Sequence, residues 1–365
     1  MAADDDRRHM ARALELARRG EGHVEPNPMV GCVLVRDGSV VGEGWHRQFG
    51  GPHAEVEALR AAGAAARGAA AYVTLEPCAH TGKTPPCAQA LLQAGVSRVL
   101  FAARDPNPRV PGGGLEQLAA AGVAVESGLL ASDGASLIAP FQKLVTRALP
   151  WVIAKWAMTL DGKLATHAGD SQWISGEASR AIVHQLRGRV DAIMVGRGTV
   201  EADDPLLTAR PAGVRTAVRI VLDSQASLSP ESQLLRTCRE APILVAASDQ
   251  APAENCRRLR ACGVEVWQSA APDSSARLAA LLEELGRRQM TNILVEGGAQ
   301  VLGSLFDLQA VDEVHAFVAP MLIGGAGVSP IAGAGRSLMP DAARLSQLQI
   351  EQVGDDAYVH GRLTS

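Results

Sequence analysis

His53-Ala54-Glu55, then Pro77-Cys78, then Pro86-Cys87: these short blocks decide how the first half of the chain reads. One imidazole and two thiolates suit a tetrahedral zinc ion and leave its fourth position open for water, whose pKa the metal lowers towards ~7. Two thiolates also cancel the charge of the metal. Glu55 need not be a ligand and can carry a proton from that water to a leaving amine. Hydrolytic deamination is the chemistry to which this set of residue types points. A closed structural zinc site would want a fourth sulfur or nitrogen ligand, for which His80 is the nearest candidate, and it would have no use for Glu55.

Zinc deaminases of bases pair H-x-E with P-C-x-x-C, whereas eight residues, 79–86, separate the two cysteines here. The longer spacing bears on family rather than on metal geometry. Cys78 follows the run Ala71-Tyr72-Val73-Thr74-Leu75, which predicts a strand, and Cys87 opens a helical pattern that runs over 87–94. A thiol at a helix N-terminus is easier to ionise. Around them the pattern predicts an amphipathic helix over 7–19, a hairpin of 30–36 and 40–43 about Asp37-Gly38, and a helix over 53–62 that begins at the histidine. A strand at 98–103, a helix at 114–121 and a closing helix over 127–147 complete a three-layer α/β sandwich, with the metal between two helix N-termini. Leu149-Pro150 is the expected hinge, so the domains are expected at 1–148 and 149–365.

The second half opens with the strand-like run Trp151-Val152-Ile153-Ala154-Lys155-Trp156-Ala157. Further strands are expected at 191–195, 219–222, 243–246, 292–295 and 314–318, with helices at 178–188, 277–288 and 299–306, giving a second α/β domain. No Gly-x-Gly-x-x-Gly links a strand to a helix with an acidic residue about twenty later, so a standard Rossmann dinucleotide site is unsupported. Glu296-Gly297-Gly298 instead follows a strand and opens a helix, a turn that can offer N–H groups to a phosphate or serve only as a tight turn. Val195-Gly196-Arg197-Gly198-Thr199 reads as a second phosphate turn.

With 365 residues, 47% of them apolar, the chain is long enough for two domains with sizeable cores. A net charge of −4 and 3% aromatic residues speak against a nucleic-acid base deaminase, which needs a basic, aromatic surface. No long apolar stretch suggests a membrane partner, and the charged N-terminus lacks the apolar core of a signal peptide, so a cytoplasmic enzyme is expected. Cys32, Cys238, Cys256 and Cys262 read as ordinary thiols. Only four of the 35 basic residues are lysine, and three of those, Lys83, Lys155 and Lys163, lie inside motifs, where a compact ammonium is not interchangeable with arginine.

Pro26-Asn27-Pro28-x-Val30-Gly31, His53-Ala54-Glu55, the block from Thr74 to Cys87 and Asp105-Pro106-Asn107-Pro108 together resemble the deaminase half of the bifunctional bacterial riboflavin-biosynthesis deaminase/reductase family. Lys155-x-Ala157-x-x-Leu160-Asp161-Gly162-Lys163, Ser171-Gln172-Trp173-Ile174, Ala202-Asp203-Asp204-Pro205 and Val295-Glu296-Gly297-Gly298 resemble its reductase half, in the same order. The resemblance spans nearly the whole chain, and the long cysteine spacing is a feature of that family.

The resemblance implies a cytidine-deaminase-like sandwich carrying one zinc per chain, followed by a dihydrofolate-reductase-like α/β domain that uses NADPH. It implies that the 2-amino group of 2,5-diamino-6-ribosylamino-4(3H)-pyrimidinone 5′-phosphate is removed first and the ribosyl group is then reduced to ribityl. Residue by residue, it assigns zinc to His53, Cys78 and Cys87, proton transfer to Glu55, and the pyrimidine and ribose-phosphate pocket to Asn27, His46, Lys83, Asp105 and Asn107. NADP falls to Ala157, Trp173, Thr199, Asp203, Ser224 and the run Gly298, Ala299, Gln300, Val301, Leu302, Gly303 and Ser304. The second substrate falls to Ser171, Arg187, Leu207, Arg210 and Glu296, with Lys155 a candidate proton donor. Arg187 and Arg210 suit a phosphate, since a planar guanidinium offers paired hydrogen bonds. A homo-oligomer, dimer or tetramer, is expected, with pairing across subunits through the apolar stretch 314–323. The rival reading is a zinc nucleobase deaminase whose C-terminal domain has changed or lost its reductase activity.

Overall fold

Strand β1 (Gly31–Arg36) buries five consecutive residues because helices cover both faces of its sheet. The computed structural model describes residues 2–79, 86–108 and 113–364, and the chain divides into two units, Met1–Ala148 and Leu149–Ser365. In the first unit β1 is joined by α1 (Ala2–Arg18), β2 (Ser39–Trp45), α2 (Ala54–Ala62), β3 (Ala70–Leu75), α3 (Cys87–Ala94), β4 (Arg98–Ala103), α4 (Gly114–Ala120), β5 (Ala124–Ser127) and α5 (Ala131–Arg147). The sheet runs β2-β1-β3-β4-β5, antiparallel from β2 to β3 and parallel from β3 to β5.

The period-two alternation of the strands sorts this core into two layers. Val33, Tyr72 and Leu100 pack against Met10 and Leu14 of α1 and Leu137 of α5. Leu34, Val73 and Val99 face the other way, onto Ala54 and Ala58 of α2, Leu91 of α3 and Leu118 of α4. The result is the expected three-layer sandwich. Gly44 of β2 sets the depth of α2, because a Cβ there would lie 2.4 Å from both Ala54 O and Ala58 N. Closely seated in this way, α2 presents its first turn at the edge of the sheet where β3 ends.

The second unit contains β6 (Trp151–Thr159), α6 (Glu177–Arg187), β7 (Ala192–Gly196), α7 (Arg197–Asp203), β8 (Val218–Leu222), α8 (Gln233–Arg236) and β9 (Ile243–Ser248). It continues with α9 (Ala253–Ala261), β10 (Glu265–Ser269), α10 (Ser274–Arg287), β11 (Asn292–Val295), α11 (Ala299–Asp307), β12 (Glu313–Ala319), β13 (Leu345–Val353) and β14 (Asp356–Leu363). Nine strands form one sheet in the order β10-β9-β8-β7-β11-β6-β12-β14-β13, parallel up to β12 and antiparallel in the last two. Leu186, Val195, Val221, Val245 and Leu259 make the core on one face, and Met194, Ile220, Leu281, Leu302 and Leu305 make it on the other. Strands β7, β11 and β6 are neighbours in the middle, so their carboxyl ends open on one crevice, the place where parallel α/β sheets bind ligands.

Two expectations need correction. Ser127 is the last residue of β5, not the start of the closing helix, which begins at Ala131. The apolar stretch 314–323 does not offer an edge for subunit pairing, because β12 already pairs with β6 on one side and β14 on the other. Elements not anticipated include β5, the short helices α7 and α8, Arg-rich α9, strand β10 beside it, and the hairpin β13–β14, whose outer strand is mostly exposed and shifts register between Ser346 and Gln349.

Candidate active sites

In the first unit three ligand-type side chains converge from three segments. His53 stands just before α2, Cys78 lies beyond the carboxyl end of β3, and Cys87 is the first residue of α3. His53 Nδ1 lies 3.1 Å from Cys87 Sγ and 3.6 Å from Cys78 Sγ, and the three donor atoms all fall within 4.8 Å of one another. The Cys87 N–H donates to Cys78 Sγ at 3.3 Å, the kind of bond a thiolate attracts. Two thiols this close cannot both ionise unaided. Cys78 accepts a hydrogen bond from the Cys87 thiol and falls to about 4, whereas that same bond, with burial, drives Cys87 up. A divalent cation resolves the conflict by binding both sulfurs, so this donor set fits zinc.

Glu55 sits two residues into the same helix and is only 3% exposed. Burial raises its pKa, opposed by the neighbouring His53, which suits a carboxyl that must hold a proton for part of a cycle. Beside it, His46 Nδ1 lies 3.0 Å from the Pro52 carbonyl, which can only accept, so that nitrogen carries the proton. His46 Nε2 then accepts from Asn27 Nδ2 at 3.2 Å. Burial lowers the pKa of His46 and keeps it neutral, with its ring edge-on to that of His53 at 5.7 Å. Asn27, His46 and His53 thus form a connected wall. Asp105 and Asn107 follow the carboxyl end of β4, which pairs in parallel with β3, so they leave the sheet at the same edge as Cys78. Asp105 accepts the Asn107 N–H at 2.9 Å, closing a turn. Lys83 and His80 lie outside the described residues.

In the second unit a cavity of about 580 Å³ opens at the carboxyl ends of the central strands. It is lined by Lys155, Ala157, Ser171, Trp173, Arg187, Thr199, Asp203, Leu207, Arg210, Glu296, Gly298 and Leu302, all expected from the sequence. At its floor Arg187 grips Glu296 through two bonds, Nε to Oε1 at 2.5 Å and Nη2 to Oε2 at 2.8 Å. Lys155 Nζ stands 3.7 Å from Glu296 Oε2. Burial works to raise the Glu296 pKa, but the Arg187 guanidinium overrides it and holds the carboxyl at about 2. Burial lowers the pKa of Lys155, with Glu296 pulling the other way. The pairing has a consequence for Arg187: its fork is filled by a carboxylate, which leaves exposed Arg210, whose Nη1 donates to Thr208 Oγ1 at 3.0 Å, better disposed towards an incoming phosphate.

The remaining expected residues stand apart from the cavity lining. Ser224 is exposed beyond β8, and its carbonyl accepts the Ser248 N–H. Ala299 and Gln300 form the first turn of α11, Val301 packs in the core, Gly303 abuts the backbone of Ala332, and Ser304 is half-buried. The turn before α11 has a geometry that would fit the phosphate of a nicotinamide cofactor. Gly297 has a φ of +114°, a conformation natural only to glycine, and Gly298 caps an end of α11 that has no side-chain cap, the arrangement that receives phosphate oxygens. Sequence reading missed Arg180, Val183 and His184, which line the cavity together with Arg187. Their spacing of three, four and seven along α6 was the available signal, since it puts all four on one helix face.

Comparisons with known proteins find a match in each half of the chain. The family described as the cytidine and deoxycytidylate deaminase zinc-binding region matches residues 3–103, and the RibD C-terminal domain matches residues 150–359. Riboflavin biosynthesis protein RibD of Bacillus amyloliquefaciens is 42% identical over 350 residues, covering 95% of this chain and 94% of its own length. The Escherichia coli K12 protein of the same name is 39% identical over 370 residues, covering 97% and 98%. Among solved structures, Acinetobacter baumannii RibD matches with a TM-score of 0.85 at 35% identity, and a Thermotoga maritima diaminohydroxyphosphoribosylaminopyrimidine deaminase/5-amino-6-(5-phosphoribosylamino)uracil reductase with 0.86 at 35%, each over the whole of both chains. By sequence, by fold and by the residues brought together in each half, this chain belongs to the RibD family of riboflavin biosynthesis proteins.

Proposed function

We propose that this chain performs two consecutive steps of riboflavin biosynthesis: residues 1–148 deaminate 2,5-diamino-6-ribosylamino-4(3H)-pyrimidinone 5′-phosphate, and residues 149–365 reduce the ribosylaminouracil phosphate so formed. The observation that carries this reading is the convergence of His53, Cys78 and Cys87 within 4.8 Å, next to the buried Glu55 carboxyl, which shares a hydrogen bond with the Cys87 thiol. When bound, zinc supplies the acidity that makes water a nucleophile at neutral pH. His53 Nδ1 and the two sulfurs are its ligands in this reading. Glu55 takes the proton of the attacking water and delivers it to the 2-amino nitrogen, so that ammonia leaves and a carbonyl remains at C2. Asn27 and His46 orient the ring, the neutral imidazole being held by the bonds to Pro52 and Asn27.

NADPH supplies the hydride of the second step. Opening of the ribosylamine ring gives an imine, and hydride addition at C1′ requires a proton at nitrogen. Lys155, whose pKa burial lowers, is the donor in this reading, and Glu296 with Arg187 fixes where its ammonium sits. Ser171, whose hydroxyl bonds Asp203 Oδ1 at 3.1 Å, joins Leu207 and Arg210 around the ribosyl phosphate. Thr199, Trp173 and the turn at Gly298 receive the cofactor. One zinc per chain, a homo-oligomeric assembly and a cytoplasmic location complete the proposal; among the described residues no helix is long and apolar enough to cross a membrane.

The test is a coupled assay on the zinc-loaded protein. The diaminopyrimidine ribosyl phosphate should release ammonia, and NADPH added afterwards should be oxidised. Ammonia without NADPH oxidation would favour the rival with a lost or altered reductase, and no ammonia at all would overturn the reading.

A further inference from the structure

We infer that Asp356, at the start of the last strand, is a positioning residue for the reductase half, acting through helix α6; the inference rests on the cavity being the reductase site. Helix α6 carries Val183, His184 and Arg187 into that cavity, yet its N-cap, Gly176, has no side chain to satisfy the N–H groups of the first turn. An acceptor for the N-cap N–H itself and for the Ser179 hydroxyl comes from the hairpin β13–β14. Asp356 is 3% exposed, and its Oδ2 accepts the Gly176 N–H at 2.8 Å and the Ser179 hydroxyl at 2.5 Å. A carboxylate at this end of an eleven-residue helix also meets the positive pole of the helix dipole.

Packing reinforces the attachment. Tyr358 of β14 clusters with Phe317 of β12 and with Val183, so the hairpin meets α6 along its length as well as at its tip. A Cβ on Gly354, in the hairpin turn, would lie 3.6 Å from Ala178 Cβ. From α6 the constraint passes to the segment before it, because Arg180 Nη1 donates to the Ser175 carbonyl at 2.7 Å and its guanidinium lies 4.8 Å from the Trp173 ring. Asp356 therefore fixes both the helix that bears Arg187 and the segment that bears Ser171 and Trp173. Neither bond touches the cavity itself: Asp356 is not among the lining residues.

The experiment compares the full-length zinc-loaded protein with Asp356→Ala, Asp356→Asn and Ser179→Ala, assayed with NADPH and the ribosylaminouracil phosphate supplied directly. Misplacing a substrate-positioning element by about 1 Å costs up to about a hundredfold in rate, so Asp356→Ala should lose between about tenfold and a hundredfold in kcat/KM, with KM for the uracil substrate raised. Asp356→Asn keeps an acceptor oxygen and should recover to within about threefold, while Ser179→Ala, which removes one bond, falls between. Ammonia release from the first half should be unchanged in all three, which reports on residues 1–148, and amide exchange over the buried strand 243–248 should match wild type, which reports that the second unit is folded. Amide exchange over 176–187 should quicken in Asp356→Ala whatever the substrate proves to be. A loss of active fraction with KM unaltered, no rescue by asparagine, or unaltered exchange over 176–187 would overturn the role of Asp356. Wild-type protein that fails to oxidise NADPH would instead strike the reductase reading, and the exchange result would still decide the coupling.

Discussion

The two halves build their sites in opposite ways. The zinc centre comes from residues between His53 and Cys87, each fixed by the start of a helix or the end of a strand close to it in sequence. The reductase cavity draws on residues from Lys155 to Leu302, brought together only because β7, β11 and β6 are neighbours in the sheet. A site of the first kind depends on few groups and fails when one ligand is lost. A site of the second kind depends on buried polar pairing and on elements far from the chemistry, so its damage should be graded.

The sharpest break in this comparison should come from Cys78→Ser or Cys87→Ser. Losing the metal forfeits several kcal/mol of charge stabilisation, so ammonia release should fall at least about a thousandfold, with zinc content measured by atomic absorption dropping in parallel. NADPH oxidation on supplied uracil substrate should persist. In the second half, Arg187→Ala leaves Glu296 buried beside Lys155 alone, a loss of about 3 kcal/mol that urea unfolding of this unit should report. Adding Glu296→Gln should restore part of it.

The same ion pair predicts a pH dependence. The Glu296 pKa is depressed from an ordinary 4.5 to about 2, so its contribution is fully present above pH 4.5 and is lost as the pH falls towards 2. The stability gap between wild type and Glu296→Gln should narrow across that window, and a gap that stays constant would remove the ion pair from the account. The smallest effect is expected at exposed Arg210: Arg210→Ala should raise KM for the phosphorylated substrate about tenfold while leaving KM for NADPH alone.

How much the sequence revealed follows the same contrast. The first unit was legible because β1, β3 and β4 are continuous apolar runs buried between two helical layers and its ligands mark element boundaries, whereas the mostly exposed β5 was not. In the second, strongly apolar parallel strands such as Ile243–Ser248 were plain, but sheet order was not, since nothing local says that β11 lies between β7 and β6. The hairpin β13–β14 was hidden by exposed glutamines and a register shift, and with it went Asp356, whose partners lie up to 180 residues away. Arg187 reads in sequence as a candidate phosphate ligand, yet its bidentate bond to Glu296 appears only once α6 and β11 are packed together. Pairings of that kind have no local signature.

The separation of the two chemistries is tested most directly by Glu55→Gln. Given the diaminopyrimidine substrate, this variant should release ammonia about 10² to 10⁴ times more slowly than wild type, with its zinc retained. Given the uracil intermediate and NADPH, it should oxidise NADPH at the wild-type rate. Ammonia release at the wild-type rate would remove Glu55 from the reaction, and loss of NADPH oxidation on the supplied intermediate would contradict the assignment of the two steps to two independent sites.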